Sequence, residues 1–222
     1  MIQLAVFLGN PGGEYVRSRH NAGWLLVETL PFFVSLNWRG KFKGRYAALD
    51  RNRLTVFADS GGAESPGAAP QDKVHFLMPE TFMNLSGNSV RPAAAFFKIP
   101  PEQILVVHDE LELPLGTVSL KCSGGLGGHN GLRSIKTSLG AAAFWRLRIG
   151  IGRPGDRVPG QGGPPGSGRG IVDWVLSDFS AAEEERLIPA LDAAAAVLVR
   201  ALAYGPESLL PEWGKKRVVQ DV

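Results

Sequence analysis

The sequence has little cysteine and no long apolar run. Cys122 is its one cysteine, so an internal disulfide is excluded and a reducing compartment is favoured. No stretch approaches the ~20 apolar residues that span a bilayer. The N-terminus lacks the basic segment of a secretory signal. These features predict a cytoplasmic protein that does not enter a membrane.

Several familiar catalytic motifs are also missing. The chain has neither the G-x-S-x-G of many serine hydrolases nor the phosphate-binding G-x-x-x-x-G-K-[ST] loop. Its histidines are dispersed and show no zinc spacing. We therefore expect no metal and no cofactor. A hydrolytic reaction would then depend on water activated by a histidine and a carboxylate.

The composition fits one sizeable folded domain. The 222 residues are 44% hydrophobic and carry a formal net charge of +3, which is compatible with a local phosphate-binding patch. Many of the 28 glycines and 16 prolines fall in two stretches, which predicts flexible loops at 60–70 and 155–170 within a single domain over 1–222.

Strand and helix patterns alternate along the chain. Apolar runs predict strands at 2–9, 73–79, 103–111, 116–122 and 145–152, with a strand pair at 44–50 and 53–59. Helical patterns cover 21–33, 83–99, 130–140 and 180–205. The alternation predicts an α/β fold with a mixed, mostly parallel, twisted sheet flanked by helices.

Polar side chains collect in the loops beside these strands. If the loops converge at one edge of the sheet, a single cleft contains Asn10, His20, Asn84, Asp109, His129 and Asn130.

The dipeptide His-Asn occurs twice, at 20–21 and 129–130, each time where a helix is predicted to begin with the Asn as its cap. The positive end of the helix dipole would keep either imidazole neutral, as a general base requires. Asp109 ends a strand and can orient such a base. The alternatives are a histidine that only closes a helix entrance and an acidic turn in solvent.

Basic side chains form a strip beside the glycine loop at 123–128. Such a strip suits phosphate, although an ordinary solvated face is the alternative. Its members are Lys121, Arg133, Lys136, Arg146, Arg148 and Arg153.

Five ordered segments resemble the signatures of the bacterial-type peptidyl-tRNA hydrolases. They are FLGNPGGEYVRSRHNAG, PETFMNLSG, HDELELPLG, GGLGGHNGLRSI and RLRIGIGRPG. The resemblance implies a monomeric α/β enzyme that needs no metal. It implies cleavage of the ester between a peptide and the 3′-terminal ribose of tRNA.

The resemblance also implies roles for individual residues. His20 matches the general base, Asp109 the carboxylate that holds it, and Asn10 a residue that distinguishes blocked from free aminoacyl ends. Residues matching substrate or tRNA contacts are Tyr15, Phe82, Met83, Asn84, Asn130, Lys121 and Arg148. His129 is grouped with these contacts, and phosphate binding, orientation of Asn130 and helix capping all stay open for it.

The sequence departs from the family pattern at Ser119, where a basic residue is usual, and at Leu126 in the glycine loop. Two other functions remain as alternatives. One is a relative that binds RNA without cleaving it, although a pure binder has no need for Asn10, His20, Asn84 and Asp109 together. The other is a metal-dependent phosphodiesterase.

Overall fold

A computed structural model describes residues 1–59, 72–156 and 170–219. The loop predicted at 60–70 lies outside the described residues, as does all of the loop predicted at 155–170 except its ends.

The described strands form one sheet in the order β2-β3-β4-β1-β5-β7-β6-β8. They are β1 (Leu4–Phe7), β2 (Arg39–Lys41), β3 (Gly44–Asp50), β4 (Lys73–Pro79), β5 (Ile104–Glu110), β6 (Thr117–Cys122), β7 (Trp145–Gly150) and β8 (Lys216–Arg217). Strands β4, β1, β5 and β7 are parallel neighbours, whereas the outer strands join them antiparallel. The predicted mixed sheet is confirmed, with its parallel pairing confined to the centre.

Helices cover both faces of the sheet. They are α1 (Ala22–Glu28), α2 (Arg51–Ala58), α3 (Gly87–Phe97), α4 (Asn130–Leu139), α5 (Ile171–Leu176), α6 (Ala181–Tyr204) and α7 (Leu210–Trp213). Alternate residues of the central strands point to opposite faces. Val6 and Val106 therefore pack with α3 and α4, while Phe7 and Val107 pack with α1 and α6.

The strand predicted at 53–59 is wrong, because this segment forms helix α2. Both edges of β3 are already paired, to β2 on one side and β4 on the other. The segment has no strand to join, so it buries Leu54 against the core as a helix. Arg51 fixes its start by donating to the Asp72 carboxylate and to the Ile2 carbonyl, 2.8 Å away.

Helix α6 is 24 residues long and apolar enough to cross a membrane by length and composition. However, 61% of its most apolar window is buried within the fold. Ala194, Leu198 and Leu202 pack in the core on the sheet face that α1 and α2 also cover. We therefore interpret α6 as a core helix.

The parallel strands determine where polar loops can meet. Strands β4, β1, β5 and β7 all end at the same side of the sheet, here called the carboxyl edge. In parallel sheets, ligands bind at this edge. The residues that follow each of these strands are therefore brought together.

Candidate active site

His20 lies on a 3₁₀ turn, Arg19–Asn21, that leads directly into α1. Gly23 lets this turn approach the sheet closely, since a Cβ at that position would lie 2.6 Å from the Leu8 carbonyl oxygen and 2.9 Å from that of Val107. The turn is thereby held against the carboxyl ends of β1 and β5.

Asn21 precedes α1, as predicted, but its side chain does not cap the helix. The Oδ1 atom of Asn21 instead accepts a hydrogen bond from the Asn10 backbone N–H at 2.8 Å. Its Nδ2 donates to the Asn10 carbonyl at 3.1 Å. This pair of bonds ties the 3₁₀ turn to the loop after β1.

Asp109 lies near the end of β5 and is 2% exposed, so the alternative of a solvated acidic turn is wrong. A single oxygen, Oδ1, lies 2.8 Å from His20 Nδ1 and 2.9 Å from His129 Nε2. Burial raises the pKa of the Asp109 carboxyl, but the two imidazoles outweigh it and hold that pKa well below its usual range. The carboxylate is therefore ionised and accepts from both rings.

His129, rather than Asn130, caps α4. Its Nδ1 accepts from the backbone N–H groups of Gly131 and Leu132 at 3.1 and 3.4 Å. An accepting Nδ1 carries no proton, so the neutral ring is protonated at Nε2 and donates to Asp109. The helix start thus fixes the tautomer of His129.

The helix dipole was expected to keep His20 neutral, but its pKa is raised. Burial lowers the pKa of His20, and the charge and hydrogen bond of Asp109 raise it by more. The reason is that the carboxylate is in direct contact with the ring, while His20 lies on the 3₁₀ turn before α1, a helix of only seven residues.

His20, Asp109 and His129 place three ligand atoms within 4.8 Å of one another, a spacing that can hold a metal ion. The capping bonds of His129 oppose that use. Coordination through Nε2 would move its proton to Nδ1, which already faces two backbone N–H groups. The donor set favours hydrogen bonding over cation binding.

A cleft of about 220 Å³ opens beside these three residues. Asn130 and the glycine loop form one wall, and Glu110, Leu111 and Glu112 form another. Helix α5 contributes an apolar wall of Ile171, Val172 and Val175. Ile171 and Val172 are more than half exposed, at 51% and 66%, so apolar surface is available to a ligand there.

Of the six residues expected in one cleft, His20, Asp109, His129 and Asn130 line it, whereas Asn10 and Asn84 do not. Asn10 is connected to the turn of His20 through Asn21. Asn10 is 6% exposed, and its Oδ1 accepts from the Met83 backbone N–H at 2.8 Å. Met83 contributes that N–H, while its side chain is buried in the core below α3 and α4. Phe82 and Asn84 are exposed.

Tyr15 is half-buried at the end of a 3₁₀ turn, Gly13–Tyr15, in the loop after β1. It does not line the 220 Å³ cleft.

In the structure, some residues of the predicted basic strip are exposed, whereas others are buried and hydrogen-bonded. Lys121 is exposed, whereas Arg148 is 15% exposed and donates to Glu110 at 3.0 Å and to the Ser119 hydroxyl at 3.1 Å. Arg146 is 1% exposed and faces inward, so the expectation that it contacts phosphate is wrong. The glycine loop covers this side chain, which donates to backbone carbonyls of that loop.

Arg146 instead supports the glycine loop. It donates to the carbonyl oxygens of Ser123 and Gly125, the latter at 2.7 Å. The sequence analysis missed this role and that of Glu110, which pairs with Arg148. Alternation along β7 correctly places both arginines on one face but does not show which of them is covered.

Comparison with known proteins identifies similar chains. The family model for peptidyl-tRNA hydrolase matches residues 4–219. The peptidyl-tRNA hydrolase of Treponema pallidum is 46% identical over 98% of this chain and 97% of its own length. That of Rhodospirillum centenum is 42% identical over 93% of this chain and 78% of its own.

Solved structures show the same similarity. The peptidyl-tRNA hydrolase of Acinetobacter baumannii superposes with a TM-score of 0.71 at 35% identity, covering 95% of this chain and 91% of that one. A single-residue mutant of the Acinetobacter baumannii enzyme gives 0.76 at 33% identity, covering 100% and 97%.

Proposed function

Because this chain belongs to the peptidyl-tRNA hydrolase family and hydrolyses peptidyl-tRNA, we propose that His20, held by Asp109, activates the water that cleaves the ester. The observation that carries this proposal is the 2.8 Å contact between His20 Nδ1 and Asp109 Oδ1. It leaves His20 Nε2 as the nitrogen that can take a proton from water.

The reaction proceeds in two stages. Nε2 of His20 removes a proton from water as the hydroxide attacks the ester carbonyl, and Asp109 stabilises the imidazolium that forms. The tetrahedral intermediate then collapses, the bond to the 3′-oxygen of the terminal ribose breaks, and the imidazolium returns its proton to that oxygen. The products are the free peptide and tRNA.

Side-chain amides orient the substrate in this scheme. The Oδ1 atom of Asn10 accepts from the Met83 N–H, so the Nδ2 donor of Asn10 is directed away from Met83. We assign that donor to the peptide next to the ester. Asn130 lines the cleft, and Asn84 is exposed on the segment that Asn10 holds through Met83; in this scheme they bind the substrate end or steady the oxyanion. Phe82 and Tyr15 offer rings to the same end of the substrate.

Lys121 and Arg148 bind tRNA phosphate in this proposal. Lys121 presents an exposed ammonium, and Arg148 lies two strands from β1, held in place by Glu110 and Ser119. Arg148 is partly neutralised by Glu110, so Lys121 carries more of the phosphate attraction. Ser119, where the family usually has a basic residue, orients Arg148.

The enzyme we propose is a cytoplasmic monomer that uses no metal or cofactor. The hydrogen bonds among His20, Asp109 and His129 activate water without a cation, and α6 is packed in the core.

The decisive test is turnover of an N-blocked aminoacyl-tRNA by the wild type and by His20→Ala. We expect kcat to fall about 10²–10⁴-fold in the variant, because the general base is lost. The affinity for tRNA, measured by filter binding, should stay within a few-fold of wild type, since His20 does not contact phosphate. The unblocked aminoacyl-tRNA is the substrate control. A variant that retained wild-type turnover would eliminate His20 as the base.

A further inference from the structure

Arg19 is the most heavily bonded buried cation near the site, and the mechanism above does not use it. Its side chain is 3% exposed. One guanidinium nitrogen, Nη2, donates to both carboxylate oxygens of Glu183 at 2.8 Å. The other, Nη1, donates to the Ser177 hydroxyl and the Asp178 carbonyl, each at 2.7 Å.

The guanidinium also stacks on an aromatic ring. Its central carbon lies 3.8 Å from the centre of the Trp174 ring and 5.1 Å from that of Phe179. Trp174 belongs to α5, the helix that forms the apolar wall of the cleft. Glu183 belongs to the capping box that begins α6. Arg19 therefore contacts both helices at their junction.

The backbone of Arg19 takes part in the same junction. Its N–H donates to the Ser177 carbonyl at 3.0 Å, and the preceding residue, Ser18, forms a β-bridge with Asp178. The 3₁₀ turn is thus fastened at both ends. Asn21 ties one end to the loop after β1, and Arg19 ties the other to α5 and α6.

We propose that Arg19 is a positioning residue: it fixes the turn that holds His20 against Asp109 and couples that turn to the α5 wall of the cleft. His20 is adjacent in the chain, so a shift of the Arg19 backbone moves the imidazole with it. A planar, five-donor guanidinium suits this task, because it donates to four acceptor groups, the Ser177 carbonyl included, and stacks at the same time. The inference rests on the proposed role of His20 as the base.

The test compares Arg19→Lys with the wild type across pH on N-blocked aminoacyl-tRNA. Lysine keeps the positive charge opposite Glu183 but loses the paired guanidinium donors and the stacking on Trp174. We expect kcat to fall about 10- to 100-fold, as for small displacements of a catalytic group. The acidic midpoint of the kcat profile should move to lower pH, because a looser contact with Asp109 raises the pKa of His20 less.

Arg17→Met is the matched control. Arg17 pairs with Glu184, so it joins the same two segments, but it is exposed and precedes the turn of His20 rather than belonging to it. The kcat of the Arg17→Met variant and the midpoint of its kcat–pH profile should be unchanged. If Arg19→Lys lowered the melting temperature but left kcat and the midpoint at wild-type values, Arg19 would be a purely structural residue and the proposal would fail.

A second variant and a second readout keep the test decisive. Should Arg19→Lys not fold, Glu183→Gln weakens the same anchor and should shift the midpoint in the same direction, and an unshifted midpoint overturns the proposal. NMR titration of the His20 imidazole reports its pKa without turnover. If the wild type did not cleave the ester, the proposed function would be rejected. A His20 pKa that was nevertheless lower in Arg19→Lys would still support the positioning role.

Discussion

At the scale of single residues, the site depends on one carboxylate oxygen shared by two imidazoles. Asp109 Oδ1 accepts from His20 and from His129, and the second bond is fixed by the start of α4. The positions of His20, His129 and Asp109 beside strand ends predict a shared cleft, and the family resemblance implies that Asp109 holds His20. The sequence leaves the role of His129 open, because nothing in the spacing shows that its ring turns toward Asp109 while its other nitrogen caps the helix.

The pH dependence of kcat tests the electrostatics of this pair. As the proposed general base, His20 acts in its neutral form, and contact with Asp109 raises its pKa above the usual 6.5. Activity should therefore rise with pH through a midpoint above 6.5. In Asp109→Asn the charge that raises the pKa is removed, burial dominates, and the midpoint should move below 6.5 while kcat falls.

His75→Gln is the control for this measurement. His75 lies on β4, bonds to Tyr46, and has a pKa lowered to about 4 by burial and by Lys41 and Lys73. Removing it should leave the midpoint of the kcat profile in place. A midpoint that stayed unchanged in Asp109→Asn would contradict the assignment of the carboxylate.

At the scale of secondary-structure elements, the site depends on how closely α1 approaches the sheet. Trp24 donates from its ring nitrogen to the Phe7 carbonyl at 3.1 Å, and Gly23 touches the backbone of β1 and β5. There is no room between helix and strands for a Cβ at position 23.

Gly23→Ala should therefore displace α1 and the turn that precedes it. We expect a loss of about 1–3 kcal/mol in the free energy of unfolding, the usual cost of overpacking. We also expect kcat to fall about 10²-fold, because His20 moves with the turn. Chemical denaturation and steady-state kinetics measure the two effects.

Gly40→Ala is the matched control, because a Cβ there has no atom within 4 Å. Gly40 lies on the edge strand β2, three strands from β1. This variant should be neutral in both measurements. A Gly23→Ala enzyme with normal kcat would show that α1 tolerates the shift without moving His20.

Secondary-structure elements were predictable from the sequence where the local sequence patterns agree with one another. The strand at 73–79 and the long helix after Ser180 have the predicted bounds to within a residue, since one is a bounded apolar run and the other begins with a capping box. Segment 53–59 was mispredicted because its β-branched and aromatic residues suit a strand. Its true form depends on β3 having both edges occupied, which is a tertiary effect.

At the scale of the whole molecule, charge is nearly balanced, with 24 basic and 21 acidic residues. A net charge of +3 cannot by itself concentrate tRNA on the surface, so attraction must come from local groups. The sequence predicted a basic strip, but it could not show that Arg146 is buried and that Arg148 is paired with Glu110.

Lys121→Ala should therefore raise KM for the tRNA substrate and leave kcat unchanged. Each lost phosphate contact lowers the dependence of log affinity on log salt by about one unit or slightly less. The measurement is KM at several salt concentrations. Lys73→Ala, an exposed lysine at the opposite, amino-terminal end of β4, should change neither value. Equal salt slopes for Lys121→Ala and the wild type would exclude a phosphate contact.

The direction of the central strands also determines which connections lie far from the site and can accept an inserted peptide. Asp59 and Asp72 lie near the C-terminal end of α6. Tyr204 donates to Asp59, and Arg51 donates to both Asp72 and the Leu202 carbonyl. This end of α6 lies at the side of the sheet away from His20. Asp156 and Gly170, in contrast, follow β7 and precede the α5 wall of the cleft. An affinity tag or fluorescent reporter inserted directly after Asp59 would therefore join the chain at the side of the sheet opposite the proposed tRNA site.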